Sequence, residues 1–336
     1  MPRVSVLLPV RDAAATLGQC LDSLAAQTLR DHEVVAVDDG SLDGSTEVLL
    51  ARARVDPRLR IVRRPRRGLV DALGTALAGA RAPLVARMDA DDVARPQRLA
   101  LQVERLERDP AVDILGCRVV CTASPGTVAG EGMRAYVEWQ NALVEHEAMA
   151  RDRFVESPLV HPSVATRTVT LRRLGGWRDF DGPEDYDLWL RCFDAGLRFA
   201  KIEETLLEWR DSPGRLTRTD PRYAPGRFLA VKLDALSRGA LAGGRGVVVW
   251  GAGPVGREWS RALRAAGHEV CAFVEVDPRK VGRRRHGAPV VAVAEAGRLR
   301  GPLHLAAVGK KGARERIRSE AARLGLVDGI DLVAVA

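Results

Sequence analysis

Apolar and polar positions fall into short alternating blocks over the first hundred residues. Val4–Val10 is an apolar run broken only by Ser5 and Pro9, too short for a signal segment, and it reads as a strand. Leu17, Leu21 and Leu24 then follow helical spacing, and 33–37 is again a short apolar run. The pattern continues with helices over 46–54, 69–80 and 97–107 and extended segments over 59–62 and 84–88, Pro96 preceding the last helix. Strand and helix in regular alternation predict βαβ units on a mainly parallel sheet. Residues 113–120 suggest one more strand and 133–149 a longer amphipathic segment. Signals from 161 to 240 are mixed, with helices opening at Pro183 and near Pro225. Gly243-Gly244-Arg245-Gly246 punctuates the chain, and a second α/β unit starts at Val247. The expected organisation is a domain over 1–240, a linker over 241–246 and a smaller domain over 247–336.

Composition narrows the class. The chain has 336 residues, 46% of them hydrophobic, with no apolar run near the ~18 residues of a membrane span. Five scattered cysteines without a Cys-x-x-Cys pair indicate neither a disulfide framework nor a zinc site, and suit a reducing cytoplasm. The net charge of +8 is uneven: residues 246–336 hold 16 Lys+Arg against 9 Asp+Glu, or +7, leaving +1 for the rest. Such asymmetry can mark a nucleic-acid or anionic-membrane surface. The cations lack the interleaved aromatics that stack on bases, which argues against nucleic acid. Arg63-Arg64-Pro65-Arg66-Arg67 and Arg283-Arg284-Arg285 read as solvated loops, with a phosphate or lipid headgroup as the alternative partner.

Two acidic clusters change the picture. The run from Leu84 to Met88 leads directly into Asp89-Ala90-Asp91-Asp92, and the second strand ends in Asp38-Asp39-Gly40-Ser41-Leu42-Asp43-Gly44-Ser45. In a parallel sheet both clusters lie at the carboxyl edge, where ligand crevices open. Hard carboxylate oxygens there suit Mg²⁺ or Mn²⁺ shared with phosphates. Each cluster alone also reads as a turn, with Ser45 able to cap the next helix.

Val4-Ser-Val-Leu-Leu-Pro-Val10, the run at 38–45, and Met88-Asp-Ala-Asp-Asp92 with Pro96-x-Arg98-Leu99 resemble the inverting GT-A glycosyltransferases of family 2. The resemblance extends through Leu159-Val-His161-Pro-Ser-Val164, Gly175-Gly-Trp177 and Gly182-Pro-Glu184-Asp185-Tyr-Asp-Leu-Trp189, covering about residues 1–240. It implies a GT-A nucleotide-diphospho-sugar transferase fold and transfer of a sugar from a nucleotide-diphosphate donor to a saccharide or lipid-linked acceptor. Carried over, Asp39 contacts the nucleobase with Asp38 beside it, and Pro9 is a backbone neighbour of the base. Asp91 becomes the metal ligand, with Asp89 as the second member of the pair and facing the ribose or sugar, helped by Asp92. Glu184-Asp185 corresponds to the family's Glu-Asp motif, which makes Asp185 the general base. The implied setting is polysaccharide or glycolipid assembly at the inner face of the membrane, with peripheral membrane contact.

Several positions stay double in meaning. His161 lies near the acceptor side in similar enzymes, yet a histidine before proline is also a common structural residue. Trp139 and Asn141 are candidates for an acceptor groove, with helix packing the other reading of Trp139. Relatives often carry Arg-x-His in a late loop; here Trp209-Arg-Asp-Ser-Pro213 has Ser212 in that place, leaving the metal's third ligand unassigned. Arg210 and Arg215 are candidates to grip the diphosphate.

The C-terminal segment Val247-Val-Val-Trp-Gly251-Ala-Gly253-Pro-Val-Gly256 has the strand, glycine turn and helix start of a Rossmann-like unit, with Glu275 nineteen positions on. Gly251, Gly253, Gly256 and Glu275 form a candidate site for NAD(P) or another nucleotide; a scaffold or homo-oligomerisation role is the alternative. An NAD(P)-dependent oxidoreductase or sugar-nucleotide sensor led by this unit is the second functional reading. Against its chemistry, Tyr136, Tyr186 and Tyr223 are followed four residues later by Gln140, Leu190 and Arg227, so no Tyr-x-x-x-Lys pair exists. A nucleotidyltransferase would need a glycine- and lysine-rich first loop, and Pro9 to Ala15 carries only Arg11 as a basic residue.

Overall fold

A computed structural model describes residues 1–123, 130–212 and 214–336. Two compact units emerge, one from 1–146 and 158–221, the other from 147–157 and 222–336. The boundary therefore falls near 221 rather than 240, and a short internal segment joins the second unit. The reason is packing: the 225–238 helix, expected in the first domain, sets its apolar side against the first helix of the C-terminal sheet, and Val155 packs on that unit's core. Lys232, on the same helix, donates from Nζ to the Val155 carbonyl at 2.7 Å.

In chain order the elements up to the first acidic turn are β1 (Val4–Val10), α1 (Ala14–Ala25), β2 (His32–Asp39), α2 (Ser45–Ala53), β3 (Leu59–Arg64), α3 (Leu69–Gly79) and β4 (Leu84–Arg87). β5 (Val93–Ala94), α4 (Arg98–Arg108), β6 (Ile114–Ala123), α5 (Glu131–Ala142), α6 (His146–Asp152), β7 (Ala165–Arg167) and α7 (Thr168–Arg173) follow. Then come α8 (Glu184–Asp194), β8 (Phe199–Asp211), α9 (Leu216–Thr219) and α10 (Pro225–Arg238). The last unit adds β9 (Val247–Trp250), α11 (Pro254–Ala265), β10 (Val270–Glu275), β11 (Arg284–Arg285), β12 (Ala288–Ala292), α12 (Val293–Ala296), β13 (Leu303–Ala306), α13 (Ala313–Arg323) and β14 (Leu332–Ala334).

The first unit is an eight-stranded sheet in the order β3-β2-β1-β4-β7-β6-β8-β5. β1 to β4 run parallel, β7 is antiparallel to both its neighbours, and β6 pairs parallel with β8. Every residue of β1 and β2 is buried, which is why these strands lack polar alternation: helices cover both faces. In α1 the buried positions are Leu17, Cys20, Leu21, Ser23 and Leu24, one stripe facing the sheet. Because β1 continues to β2 on one side and β4 lies on its other side, strand order reverses at β1, and a crevice opens over its carboxyl end.

The second unit is a six-stranded sheet, β11-β12-β10-β9-β13-β14, parallel except for the β11–β12 hairpin, and strand order reverses at β9. Its core gathers Val248, Trp250, Ala272, Val274, Ala306 and Leu332. Among the described residues no helix is long and apolar enough to cross a membrane.

Candidate active site

β2 delivers Asp38 and Asp39 to the crevice with different local jobs. Asp38 is buried; its Oδ1 accepts the Ser41 backbone N–H at 2.9 Å, and its Oδ2 accepts the Thr46 hydroxyl. Burial pushes this carboxyl up, but the bonds from Thr46 and Ser41 outweigh it and hold it below its ordinary range. Asp38 is therefore an ionised brace for the turn into α2. Asp39 reaches sideways to the loop after β3. Its Oδ1 accepts from Arg64 Nη2 at 2.8 Å and from the Arg67 backbone N–H at 2.8 Å, and its Oδ2 accepts from the Gly68 N–H at 2.8 Å. Gly40 is required beside it: φ is +71° and a Cβ would stand 2.9 Å from the Arg66 backbone nitrogen. Arg64, expected in a solvated loop, instead has only 11% of its side chain exposed and bridges Asp39 and Asp71. Pro9 sits opposite Val37 in the β1–β2 register, one position before the pair Val10 and Asp38.

The second edge is the turn from β4 into β5. Asp89, Asp91 and Asp92 each present a carboxylate oxygen, all within 4.8 Å of one another. At that range mutual repulsion is of the order of 4 kcal/mol per ionised pair for an effective dielectric of about 20. The protein offsets only part of it. Buried Arg87, the last residue of β4, forms an ion pair with Asp89. Asp92 is 1% exposed; its Oδ1 accepts the Arg210 backbone N–H at 2.8 Å, while its Oδ2 has no hydrogen-bond partner among the described residues. Burial, then the Asp89 charge, pushes the Asp91 carboxyl up to about 6, and burial with Asp89 and Asp91 pushes Asp92 well above the usual range. An orphaned buried oxygen and two carboxyls reluctant to ionise side by side fit a hard divalent cation.

Neighbouring elements hold the turn from behind. Cys20 Sγ and Thr16 Oγ1 of α1 donate to the carbonyls of Asp89 and Ala90 at 3.3 and 3.2 Å. Buried Arg98 of α4 donates from Nη2 to the Arg87 carbonyl at 2.7 Å. Arg87 and Arg98 escaped the sequence reading as position-holders, although a lone arginine inside an apolar strand just before three acids was the available signal.

The β8 end supplies cations. The Arg210 side chain turns to Gln19 Oε1 at 2.6 Å, so its backbone rather than its guanidinium serves the acidic turn. Arg215 is the better placed cation: its side chain is 11% exposed, stacks on Trp209 with the guanidinium carbon 4.0 Å from the ring centroid, and adds to the field at Asp91 and Asp92. Ser212 brings no additional carboxylate or imidazole to the cluster. Pro213, the last residue of that motif, lies outside the described residues.

α8 starts at Glu184, with Pro183 as its N-cap and Glu184, Asp185 and Asp187 in its first turn; Leu188, Trp189 and Cys192 are buried. Buried Glu184 faces His161, Nδ1 to Oε1 at 3.6 Å, and Arg87 contributes to the field there. The Trp177 indole N–H donates to His161 Nε2 at 2.9 Å, which leaves the imidazole proton on Nδ1, towards Glu184. Burial and Arg87 hold His161 below its ordinary range, so it stays neutral and braces Glu184. Asp185 is half-buried at the helix N-terminus, and its Oδ1 accepts the Tyr186 N–H at 2.7 Å. Asp187 pairs with Arg178 and Arg191 and belongs to the packing of α8.

On α5, Trp139 stacks on Tyr136 with ring centroids 6.0 Å apart. The Asn141 amide donates to the Val119 carbonyl at 2.8 Å and accepts the Val119 N–H at 3.0 Å, so it works as a surrogate strand beside β6. In the second unit a Cβ on Gly256 would fall 1.8 Å from the Gly251 carbonyl oxygen, and Gly251 has φ +102°; close helix–strand packing explains both glycines. Gly253 has open space around its Cβ position. Glu275 Oε2 accepts from the Ala252 N–H at 3.2 Å and pairs with Lys280 at 3.0 Å, and its Oε1 accepts the Val276 N–H at 3.0 Å.

A parallel-rich α/β sheet whose switch point carries one braced carboxylate pair and one acidic cluster is the architecture of the GT-A fold. Residues 5–167, just under half of the chain, match the family model Glycosyl transferase family 2, and together with the relatives that follow they mark the chain as a glycosyltransferase. Its relatives include the putative glycosyltransferase EpsE of Bacillus subtilis, 27% identical over 228 residues, spanning 66% of this chain and 78% of EpsE. The amylovoran biosynthesis glycosyltransferase AmsE of Erwinia amylovora is 29% identical over 209 residues, spanning 61% of this chain and 75% of AmsE. Among solved structures, S. aureus TarS in complex with UDP-GlcNAc superposes with a TM-score of 0.56 at 18% identity, over 70% of this chain and 67% of TarS. The mannosyltransferase PcManGT from Pyrobaculum calidifontis, in complex with GDP-Man and Mn²⁺, does so with 0.52 at 23% identity, over 79% of each chain.

Proposed function

We propose that the N-terminal unit transfers a sugar, with inversion at the anomeric carbon, from a nucleotide-diphosphate donor to an acceptor hydroxyl, assisted by a divalent cation. The observation that carries the reading is the Asp89, Asp91 and Asp92 cluster at the switch point, with an unsatisfied buried Asp92 oxygen. Asp91 and Asp89 would hold Mn²⁺ or Mg²⁺, which when bound neutralises charge on the departing diphosphate. Asp92 keeps the turn in register through Arg210, and Arg215 offers a pre-oriented guanidinium to the phosphates in place of the Arg210 side chain. Asp39 Oδ2 accepts from the Gly68 N–H and retains lone pairs for a base N–H, with Pro9 and Asp38 forming the neighbouring wall. Asp185 takes the acceptor proton, and Glu184, braced by His161, sets the start of its helix. Relatives named for TarS with UDP-GlcNAc, for GDP-Man with Mn²⁺ and for amylovoran biosynthesis support a nucleotide-sugar donor, a cation and a role in polysaccharide assembly.

A panel of UDP-, GDP- and dTDP-sugars, assayed for release of nucleoside diphosphate with Mn²⁺, with Mg²⁺ and with chelator, tests the reading. Cation-dependent release from one donor supports it; stabilisation by NAD(H) with no donor response at all would sink it. The second reading, led by NAD(P) in the C-terminal unit, draws less support. The family match ends at residue 167, and the Glu275 oxygens already hold Ala252, Val276 and Lys280. Gly251 and Gly256 therefore serve helix–strand packing rather than a nicotinamide cofactor.

A further inference from the structure

The glycosyltransferase site leaves the basic surplus of the C-terminal unit unexplained. Part of it converges. Arg257 and Arg261 lie one helical turn apart on α11, and the β11–β12 hairpin brings Arg284, Arg285 and His286 to the same place, around a cavity of about 570 Å³. Glu258 is the carboxylate in that lining, one acid beside four arginines. None of the four forms an ion pair among the described residues, and Arg285 Nε is buried without a hydrogen-bond partner there.

The wall is a built one. The hairpin turns at His286, whose φ is +46°, and at Gly287, with φ +79°. His286 is pinned to α11 by Ser260, Nδ1 to Oγ at 3.2 Å, and its ring meets Phe273 edge-on at 6.4 Å between centroids. Ser260 and Phe273 are fully buried, so the hairpin tip is anchored to the core. Arg257 and Arg285 are half-buried and Arg261 and Arg284 exposed, and the mutual repulsion of four guanidinium groups beside one carboxylate favours a bound anion there.

We propose that this cavity binds a diphosphate group, with Arg257, Arg261, Arg284 and Arg285 supplying the guanidinium forks. Planar guanidinium groups match pairs of phosphate oxygens in bidentate fashion, and a diphosphate carries enough charge to balance the surplus of arginines over Glu258. The cavity is larger than one phosphate and leaves room for an organic substituent on the group. A soluble nucleoside diphosphate and the headgroup of a diphosphate lipid share this chemistry.

The test uses the full chain in chelator, so that the acidic turn of the first unit cannot hold phosphate through a cation. Calorimetric titration with inorganic pyrophosphate should show saturable binding that weakens with added salt. R257Q/R285Q, checked for an unchanged circular dichroism spectrum, should bind roughly ten-fold more weakly or worse. R283Q, an exposed arginine outside the lining, should bind within about two-fold of the parent, and D91N likewise, whatever the fate of the donor-site reading. Flotation with phosphatidylcholine vesicles, plain and doped with a polyprenyl diphosphate, separates the sources. Retention by the doped vesicles alone, lost in R257Q/R285Q, assigns the lipid. Binding to neither probe, or equal binding by R257Q/R285Q and R283Q, overturns the proposal.

Discussion

The Arg210 backbone N–H donates to Asp92 Oδ1 at 2.8 Å, tying the end of β8 to an acidic turn 118 residues earlier in the chain. This bond uses one Asp92 oxygen and leaves the other buried without a partner among the described residues. Removing the charge while keeping the acceptor should separate the two roles. Asp92→Asn should raise the thermal stability of the cation-free protein, by about 1 kcal/mol, because a buried repulsion disappears. It should also shrink the stabilisation that Mn²⁺ gives. Melting curves with and without Mn²⁺ decide it; an unchanged Mn²⁺ shift would remove Asp92 from the cation's surroundings.

Proton and cation compete at Asp91. Burial and the Asp89 charge push its carboxyl up to about 6, so the folded protein retains a proton that the unfolded chain, with an ordinary carboxyl near 4, has lost. A raised folded value means that ionisation opposes folding: the cation-free protein should be most stable below pH 4 as far as this group is concerned. The contribution fades as pH rises through 6. Cation affinity should run the opposite way and fall up to about ten-fold per pH unit below 6 for one displaced proton. Mn²⁺ titrations from pH 5 to pH 8 measure it, and a flat profile would contradict the assignment.

Asp91→Asn and Asp185→Asn should fail differently. The first should lose cation-dependent donor binding. The second should bind donor normally yet transfer about 10²–10⁴-fold more slowly, the usual contribution of a general base. Donor binding by calorimetry alongside transfer rates distinguishes them; full transfer by Asp185→Asn would exclude it as the base.

Arg64 is a brace between β3 and the nucleotide edge. Arg64→Ala removes its bonds to Asp39 and Asp71 but leaves the Arg67 and Gly68 N–H donors in place. A loss of about 1–3 kcal/mol is expected in denaturant titrations, together with a raised donor KM and a smaller change in kcat. An equal fall in both kinetic terms would show that Arg64 acts in the transition state instead.

Gly256→Ala would place a methyl carbon 1.8 Å from the Gly251 carbonyl oxygen, too close for a side-chain shift to relieve. The C-terminal unit should be destabilised by about 3 kcal/mol or more. Gly253→Ala, with open space at its Cβ, should be nearly neutral for folding. Hydrogen exchange in β9 and α11 reads both.

The acidic edges were legible from the chain because parallel strands place their last residues at one sheet edge whatever the details of packing. Asp38, Asp39 and the 89–92 turn could be paired on that ground alone. The long strand β8 was not legible: its residues Glu203, Glu204 and Thr205 are exposed while Leu207 is fully buried, and its pairing with β6 shifts register near Arg118. An irregular strand of this kind shows no single period.

Side-chain partners were decided by tertiary structure throughout. Arg64 read as solvated because its neighbours in sequence are charged, but its partner Asp39 comes from another strand. Asn141 read as acceptor-facing, and only the approach of α5 to β6 gives its amide to Val119. The order of apolar runs and acidic turns, a local property of the chain, determined the fold class and the two carboxylate edges. Which acids are braced, which cation faces the cluster and where the domain boundary falls depend on contacts between segments far apart in sequence, and those exist only once the sheet has closed.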